Sequence, residues 1–381
     1  EPVFLDYQKD MSQLKAKSDI PVLYKQNVAN DLFQLIYVFD MGNNHDKALG
    51  TAFDYLEYLG TSDMTPEELK SEFYRLACTF YVSPGNERTY VVLSGLNENM
   101  PAAVQLFEKL LADAQVNKEA YTNMTSDILK ARSDAKLNQG QNFSRLMSFA
   151  MYGPKSPATN LLTEAELTNM NPQELVDRIH NQNSYKHRIL YYGPSSSKDL
   201  LATINQYHQV PAALKDIPAG NEYAYLETPV TKVLVAPYDA KQIYMAQISN
   251  LDKKYDPAIE PIRALYDEYF GGGMNSIVFQ EMRETRGLAY SAWASIMPPS
   301  YLKYPYVLRT QIATQNDKMI DAVTTFNDII NNMPESEAAF KLAKDGLTNR
   351  LRTERIIKGD IIWSYINAQD LGQNVDPRIK L

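Results

Sequence analysis

Cysteine is almost absent from this 381-residue chain, in which Cys78 is the single example. One cysteine cannot form an intrachain disulfide, and the apolar neighbours of Cys78 favour a buried structural thiol. No run of about 18 apolar residues occurs, so no segment is predicted to span a bilayer. The chain has no excess of positive charge either, because its net charge is -8. That balance argues against nucleic acid or an anionic membrane surface as a partner.

Histidine is also scarce, and its placement excludes a familiar kind of metal site. The four histidines are His45, His180, His187 and His208. None lies one helical turn from another with a glutamate beside it, so a zinc site built on two imidazoles of one helix is not predicted. The glycines at 271–273 are not followed by the lysine and serine or threonine of a P-loop, and no dinucleotide-binding pattern is present. We interpret those glycines as a turn that lets the next helix start close to a sheet.

The chain is long enough for two domains, and the order of its predicted elements repeats. The first pass has a strand at 31–40, helices at 46–59 and from Thr65, a hairpin at 79–82 and 89–95, helices at about 100–114, 117–137, 141–152 and 172–183, and a closing strand at 188–192. The second pass has a strand at 242–248, helices at 257–270 and 275–285, a hairpin at about 288–297 and 303–313, and helices near 317–332, 336–357 and 360–371. Each pass is therefore expected to be one copy of a common plan.

The predicted fold class is α+β, with two homologous domains, each a mostly antiparallel sheet with helices packed on one face. The join is expected within the proline-containing segment 209–229, which gives domains at 1–215 and 216–381. The second pass lacks the last helix and closing strand of the first. We therefore expect that the sequence is truncated at its C-terminus, or that its last residues are disordered. The start at Glu1 suggests a processed protein or an excised segment.

The most informative stretch runs from residue 271 to 291, where a glycine turn and an amphipathic helix are followed by the start of a strand. Phe279 and Arg283 form a Phe-x-x-x-Arg pattern, and Tyr290 follows seven residues after the arginine within Gly-Leu-x-Tyr. This stretch resembles the C-terminal half of the pitrilysin/insulinase family of zinc metallopeptidases. The resemblance implies that Arg283 and Tyr290 hold the substrate carbonyl over a zinc ion carried by another domain. Without the resemblance, the two would be interpreted as an exposed helix arginine and a half-buried strand tyrosine.

The same resemblance shows what the first domain lacks. Family members carry His-x-x-Glu-His directly before Gly-Thr, whereas this chain has Asp54 and Tyr58 at the two histidine positions. Only Glu57 keeps its place, and a lone carboxylate cannot lower the pKa of a water molecule as a metal does. Glu57 is more simply explained as a solvated or locally paired residue. The resemblance thus implies a degenerate peptidase-like first domain, with no metal and no cofactor in this segment and the zinc in an N-terminal half.

Two functional hypotheses follow from the resemblance. The first is the C-terminal half of a zinc-dependent metalloendopeptidase, which encloses a peptide together with a zinc-bearing N-terminal half or subunit and does not hydrolyse peptides by itself. The second is a non-catalytic family member that acts as a scaffold or peptide-binding subunit for an active partner. Bacterial extracytoplasmic members of the family suggest the periplasm as the location.

Overall fold

A computed structural model describes all residues from Glu1 to Leu381. The strands are β1 (Ser12–Lys15), β2 (Pro21–Gln26), β3 (Leu32–Phe39), β4 (Cys78–Pro84), β5 (Thr89–Leu96), β6 (Arg188–Gly193), β7 (Gln242–Lys254), β8 (Ser291–Met297) and β9 (Pro305–Gln315). The helices of the first 241 residues are α1 (Tyr7–Asp10), α2 (Leu49–Leu56), α3 (Pro66–Arg75), α4 (Met100–Asp113), α5 (Lys118–Ala135), α6 (Gln139–Tyr152), α7 (Glu164–Asn169), α8 (Gln173–Asn181) and α9 (Ser197–Tyr207). The remaining α-helices are α10 (Glu260–Phe270), α11 (Ile277–Phe279), α12 (Met319–Asn331), α13 (Glu337–Thr353) and α14 (Asp360–Asp370).

The first sheet has six strands in the order β1-β2-β6-β3-β5-β4. The pair β2–β6 is parallel and all the other pairs are antiparallel. Alternate side chains of each strand point to opposite faces, so Leu35 and Tyr37 join a core of 40 buried residues beneath the helices. Ile36 and Val38 point to the opposite face, which we call the outer face of the first sheet.

The second sheet has three antiparallel strands in the order β7-β9-β8. Its inner face contributes Ala292, Ala294 and Ile312 to a core of 13 buried residues with α10 and α12. The strands β7, β9 and β8 have the same order and antiparallel pairing as β3, β5 and β4 in the first sheet. One edge of β7 has no strand partner, whereas β6 covers the equivalent edge of β3.

Each sheet receives one helix from the other half of the chain on its outer face. Helix α14 lies on the outer face of the first sheet, where its isoleucines pack against five side chains from four strands. That cluster of nine buried residues contains Ile361, Ile362, Ile366, Met11, Leu23, Ile36, Val38, Val92 and Leu190. Helix α6 lies on the outer face of the second sheet, where the rings of Phe143 and Tyr244 are 5.6 Å apart. There, Gln139 Nε2 donates to the carbonyl of Gln242 at 2.7 Å.

Charged contacts reinforce the junction between the halves. Arg88, beside the turn of the β4–β5 hairpin, donates two hydrogen bonds of 2.6 Å to the carboxylate of Asp370 at the end of α14. The two side chains are only 11% and 13% exposed. In the same turn, Glu87 accepts from Tyr304 at 2.7 Å and pairs with Lys303 at 3.2 Å. The turns of the two hairpins are thereby held together.

The predicted α+β class is confirmed by this architecture. The helix start at Thr65 is also observed, since Thr65 and Glu68 form a reciprocal capping box that satisfies two free N–H groups. The predicted helix 46–59 is shorter than expected, because after Leu56 the chain closes with tighter turns such as Leu59 N–H to the carbonyl of Leu56. No helix has both the length and the apolar character needed to cross a membrane. The division at 215/216 stays a prediction; the segment 208–241 contains no helix or strand.

Candidate active site

The glycine turn brings the end of α10 against the edge of the second sheet. A Cβ at Gly271 would lie 2.1 Å from the carbonyl oxygen of Ala294 in β8, a distance that no side chain can occupy. Glycine is therefore required at position 271, because the backbones of the turn and of β8 approach closely. A close approach to a sheet is what the sequence predicted for this turn. The turn sets the position of α11 and of the segment that follows it.

The predicted helix 275–285 is not a single regular helix. After α11 the backbone widens into a π-helix over Gln280–Thr285, a form often found at functional sites. Met282 is fully buried and anchors this turn in the core. Its carbonyl accepts from the N–H groups of Leu288 and Ala289 at 2.8 and 3.1 Å. Gly287 ends the segment with a φ of +56°, which favours glycine.

The structure brings Arg283 and Tyr290 together on the surface. The guanidinium carbon of Arg283 lies 5.9 Å from the centroid of the Tyr290 ring and 5.1 Å from that of Phe279. The Tyr290 side chain is 74% exposed, more than the half-buried strand tyrosine of the alternative interpretation, and its N–H donates to the carbonyl of Ala313 at 2.9 Å. The single charged neighbour of Arg283 is Glu284, at 3.7 Å. The donor groups of both side chains are thus accessible to a bound molecule.

The neighbouring charges have a simpler role. Arg286 Nε pairs with Glu281 at 3.3 Å on the solvent side of the π-helix. Asp54 lies in α2, and Glu57 and Tyr58 directly follow its last residue. Asp54 and Tyr58 are exposed, and Glu57 forms no side-chain hydrogen bond or ion pair. These positions present two carboxylates and a phenol where the family motif has two imidazoles and a carboxylate. No group of three or more potential metal ligands occurs anywhere in residues 1–381.

Tyr290 also stands at one side of a cleft of about 740 Å³ between α6 and the outer face of the second sheet, which we call the α6 cleft. Aromatic and methionine side chains form much of its wall: Phe143, Met147, Met151, Tyr152 and Tyr244. The polar side chains in it include Gln242, Gln311 and Arg309, and none of the lining residues is acidic. Concave sites with apolar walls and a few polar groups are typical of ligand binding.

Arg309 is the residue in this cleft that the sequence analysis missed. Its Nε is buried without a hydrogen-bond partner, and its Nη2 meets only the Sδ of Met147, at 3.7 Å. The guanidinium carbon lies 5.4 Å from the centroid of the Trp293 ring, a cation–π contact. Burial lowers the pKa of Arg309, with no carboxylate to offset it. The sequence contains one signal that could have identified this residue, since Arg309 is the single arginine of the predicted strand 303–313.

Two other notable groups lie inside the first half and away from the surface. Glu108, His208 and His187 form a buried chain, with 2.7 Å between Glu108 Oε1 and His208 Nδ1 and 2.8 Å between the two Nε2 atoms. Burial, together with neighbouring His208, lowers the pKa of His187 to about 3. Cys78 is buried, as expected, and burial raises the pKa of its thiol. None of these groups faces the α6 cleft.

Comparisons with known proteins agree on one family. Residues 189–347 match the family described as Peptidase M16 inactive domain. An uncharacterized zinc protease of Rickettsia felis is 20% identical over 263 residues, a match that covers 65% of this chain and 60% of that protein. The match therefore spans less than two thirds of the length of that relative.

Two solved structures show the same fold. A peptidase M16 inactive domain from Pseudomonas fluorescens superposes with a TM-score of 0.67 at 16% identity, over 95% of this chain and 86% of that one. The periplasmic protease PqqL from Escherichia coli superposes with a TM-score of 0.75 at 14% identity, over 100% of this chain and 42% of that one. The fold therefore occurs both in chains of similar length and as part of a much longer chain.

Proposed function

Since the chain belongs to the M16 peptidases, the pitrilysin/insulinase family of zinc metallopeptidases, we propose that it is the C-terminal half of a zinc-dependent endopeptidase. In this proposal it encloses the peptide and stabilises the transition state, and a partner half or subunit carries the zinc. The observation that carries the proposal is the exposed pairing of Arg283 with Tyr290, whose ring lies 5.9 Å from the guanidinium carbon.

The chemistry assigned to this pair is stabilisation of negative charge. Attack on a peptide carbonyl produces a tetrahedral intermediate with an oxyanion, and a guanidinium and a phenol are both donors that can bind it. The widened π-helix and buried Met282 fix the backbone of Arg283, while the hydrogen bond to Ala313 fixes that of Tyr290. Donors held in place in this way need little reorganisation during the reaction. Enclosure by a partner half would exclude water and strengthen both hydrogen bonds.

The zinc ion does not fit the residues of this chain. Asp54 of α2, with Glu57 and Tyr58 directly after that helix, cannot reproduce the two neutral imidazoles of the family motif, and no other cluster of ligands replaces them. The proposal therefore places the metal in the partner half and assigns this chain no step of water activation. Alone, the 381-residue chain should not cleave peptides.

The test is peptide hydrolysis with zinc, measured for this chain alone, for the chain with its zinc-bearing half, and for the same mixture with substitutions. Arg283→Ala or Tyr290→Phe should each lower the rate by about a hundredfold, since removal of one oxyanion donor typically costs 10² to 10³. Arg286→Ala is the matched control, because it removes a surface arginine from the same segment. Equal rates for the substituted and unsubstituted mixtures, or cleavage by the chain alone, would refute the assignment.

A second candidate is a scaffold or peptide-binding subunit for an active partner. It is favoured by the match to a family described as an inactive domain. A scaffold requires binding but no transition-state contact. In the same assay it predicts that mixing is needed for activity while Arg283→Ala and Tyr290→Phe have no effect on the rate.

The partners and location belong to the same proposal. We expect a zinc-bearing N-terminal half or subunit and a peptide substrate, and no nucleic acid, since the net charge is -8. We place the protein in the periplasm or another extracytoplasmic compartment of a bacterium, which the likeness to a periplasmic protease supports. Detection of the native protein in a periplasmic fraction would test this location.

A further inference from the structure

The α6 cleft contains a cation without a counterion. Arginine cannot lose its proton at ordinary pH, so the charge of Arg309 must be compensated or hydrated. Its Nε is buried and unpaired, and its other contacts are a sulfur atom and an indole ring. The residues that line the cleft include no aspartate or glutamate, and α6 itself contains none. Arg309 is only partly buried, but its Nε is shielded from water and lacks a hydrogen-bond partner, and a carboxylate ligand would satisfy that donor.

We propose that Arg309 is a recognition site for a carboxylate of the bound peptide, supplied either by an acidic side chain or by the peptide C-terminus. A guanidinium presents a fork of donors that matches a carboxylate, and such charge-assisted hydrogen bonds are the strong ones. This inference rests on the proposed function, because it names the class of peptide that the site beside Tyr290 accepts.

The strand register gives the spacing of the two sites. Ala313 pairs with Ser291, next to Tyr290, and Arg309 pairs with Ser295 on the same outer face. The two positions are four residues apart along β9, or roughly 14 Å at 3.4 Å per residue. An extended peptide covers the same distance in about four residues. The recognised carboxylate is thus expected about four residues from the bond held at Tyr290.

The walls of the cleft predict what lies between the two sites. Phe143, Tyr152 and Tyr244 provide ring surfaces, and Met147 and Met151 provide flexible, polarisable ones. Gln242 and Gln311 can bond to a peptide backbone. The preferred segment is therefore apolar or aromatic and ends in an acidic group.

The test measures binding to the 381-residue chain without its zinc-bearing partner, so that no hydrolysis occurs. Fluorescently labelled hexapeptides with an apolar middle are compared by anisotropy, first with a free or an amidated C-terminus, then with glutamate or glutamine at each position. The unsubstituted chain should bind the best carboxylate peptide at least tenfold more tightly than its amide counterpart, as expected for hydrogen bonds to a charged group. The first series shows whether the chain recognises a C-terminal carboxylate, and the second shows whether it recognises the carboxylate of an acidic side chain.

Arg309→Gln should abolish the preference while leaving the affinity for the amide peptide unchanged, and Arg309→Lys should keep part of it. Arg145→Gln is the matched control, because Arg145 is an exposed arginine of α6 that does not line the cleft. The proposal is wrong if the unsubstituted chain shows no carboxylate preference in either series, or if Arg145→Gln removes the preference as fully as Arg309→Gln. If Arg309→Gln does not fold, the proposal is tested by comparing carboxylate and amide peptides on the unsubstituted chain and on Arg309→Lys.

The outcome separates this inference from the proposed function. Arg283→Ala and Tyr290→Phe both test hydrolysis, but only Arg283→Ala should leave the carboxylate preference intact, because Arg283 does not line the α6 cleft whereas Tyr290 does. Absence of the preference, together with a hundredfold loss of hydrolysis in those two variants, would overturn the carboxylate site alone. A clear preference with unaffected hydrolysis would overturn the transition-state role alone.

Discussion

Each sheet of this protein is covered on its outer face by a helix from the other half of the chain, but the two contacts differ in kind. Under α14, the outer face of the first sheet forms a closed cluster of nine buried apolar residues. Under α6, the outer face of the second sheet leaves a cleft of about 740 Å³ that contains Arg309. The same exchange of helices thus forms a sealed junction in one place and an open cavity in the other.

The difference indicates which junction is shaped by stability and which by binding. Burial of Ile361, Ile362 and Ile366 contributes roughly 1.5–3 kcal/mol for each side chain, as an upper estimate. The α6 junction gives up such burial and keeps an uncompensated cation. Departures from good packing of this type are expected at functional sites, where stability is lost in exchange for recognition.

The two tryptophans allow the junctions to be followed separately. Trp363 lies in α14 and meets the ring of Tyr90 at 5.6 Å. Trp293 lies in β8 beneath the guanidinium of Arg309. Trp293→Phe leaves Trp363 as the single tryptophan, so its fluorescence during unfolding reports on the α14 junction. Trp363→Phe leaves Trp293, which reports on the α6 junction.

The largest effect is expected for a charge placed in the sealed junction. Ile362→Asp should destabilise the chain by more than about 4 kcal/mol, or detach α14, because a carboxylate would be buried among isoleucines without a partner. The measurement is denaturant unfolding followed by Trp363 fluorescence. The matched control is Ser148→Asp, in the α6 cleft, which should change stability by less than about 1 kcal/mol because that site is open and has a cation nearby. Similar losses in the two variants would contradict the comparison.

A smaller loss of stability is expected when the ion pair between Arg88 and Asp370, at the end of α14, is weakened. Asp370→Asn removes the charge that Arg88 contacts through two hydrogen bonds and leaves Arg88 with Asp40 alone. A cost of about 2–3 kcal/mol is expected for breaking a pair with so little exposure, measured by the same unfolding experiment. Asp216→Asn, in an ion pair with Lys186 that is mostly exposed, should cost almost nothing. Equal losses of stability in the two variants would show that the Arg88–Asp370 ion pair does not hold α14 in place.

The helices and hairpins were largely predictable from the sequence because their signals are local. Apolar spacing predicted a helix at about 100–114, and α4 spans Met100–Asp113. The parallel pairing of β2 with β6 was not predicted, since about 160 residues separate the strands. The outer position of α14 was missed for a related reason. Periodicity shows that a helix has an apolar face, but it does not identify the sheet that covers this face.

The candidate site was predictable only where a motif marks it. Arg283 and Tyr290 were identified because they match a motif of the family that the chain resembles, and their catalytic role stays a prediction. The π-helix that carries Arg283 was not found, because its sequence is compatible with a regular amphipathic helix. Arg309 was overlooked because what distinguishes it is the absence of a partner. That property depends on α6, more than 150 residues away in the sequence, and no local pattern reveals it.

The two halves should also differ in their response to acid, since every histidine lies in the first 208 residues. The pKa of buried His187 is about 3 in the folded state, below its usual value of 6.5. Between these values the unfolded chain binds more protons, so stability is complete above pH 6.5 and decreases as the pH falls. The expected loss is about 2 kcal/mol at pH 5, from 1.36 kcal/mol for each pKa unit. Unfolding at pH 7 and pH 5 measures it.

His187→Gln provides the comparison for this pH effect. The variant should be less stable at pH 7, because the contact with His208 is altered, yet its stability should change less between pH 7 and pH 5. An unchanged slope in the variant would mean that His187 is not the source of the acid sensitivity.

The smallest effect concerns the open junction and has the opposite sign. Arg309→Met replaces an unpaired, partly buried cation with an apolar side chain of similar length beside Met147 and Trp293. Loss of a poorly solvated charge is expected to raise stability by up to about 1 kcal/mol, since buried charges are often replaced by apolar groups at no cost or with a gain. Thermal unfolding would detect an increase in Tm, and Arg145→Met, at an exposed position on α6, should show none. If Arg309→Met is instead destabilising by 2 kcal/mol or more, the guanidinium holds the α6 junction together. The charge would then serve the fold, and the contrast between a sealed junction and a binding junction would disappear.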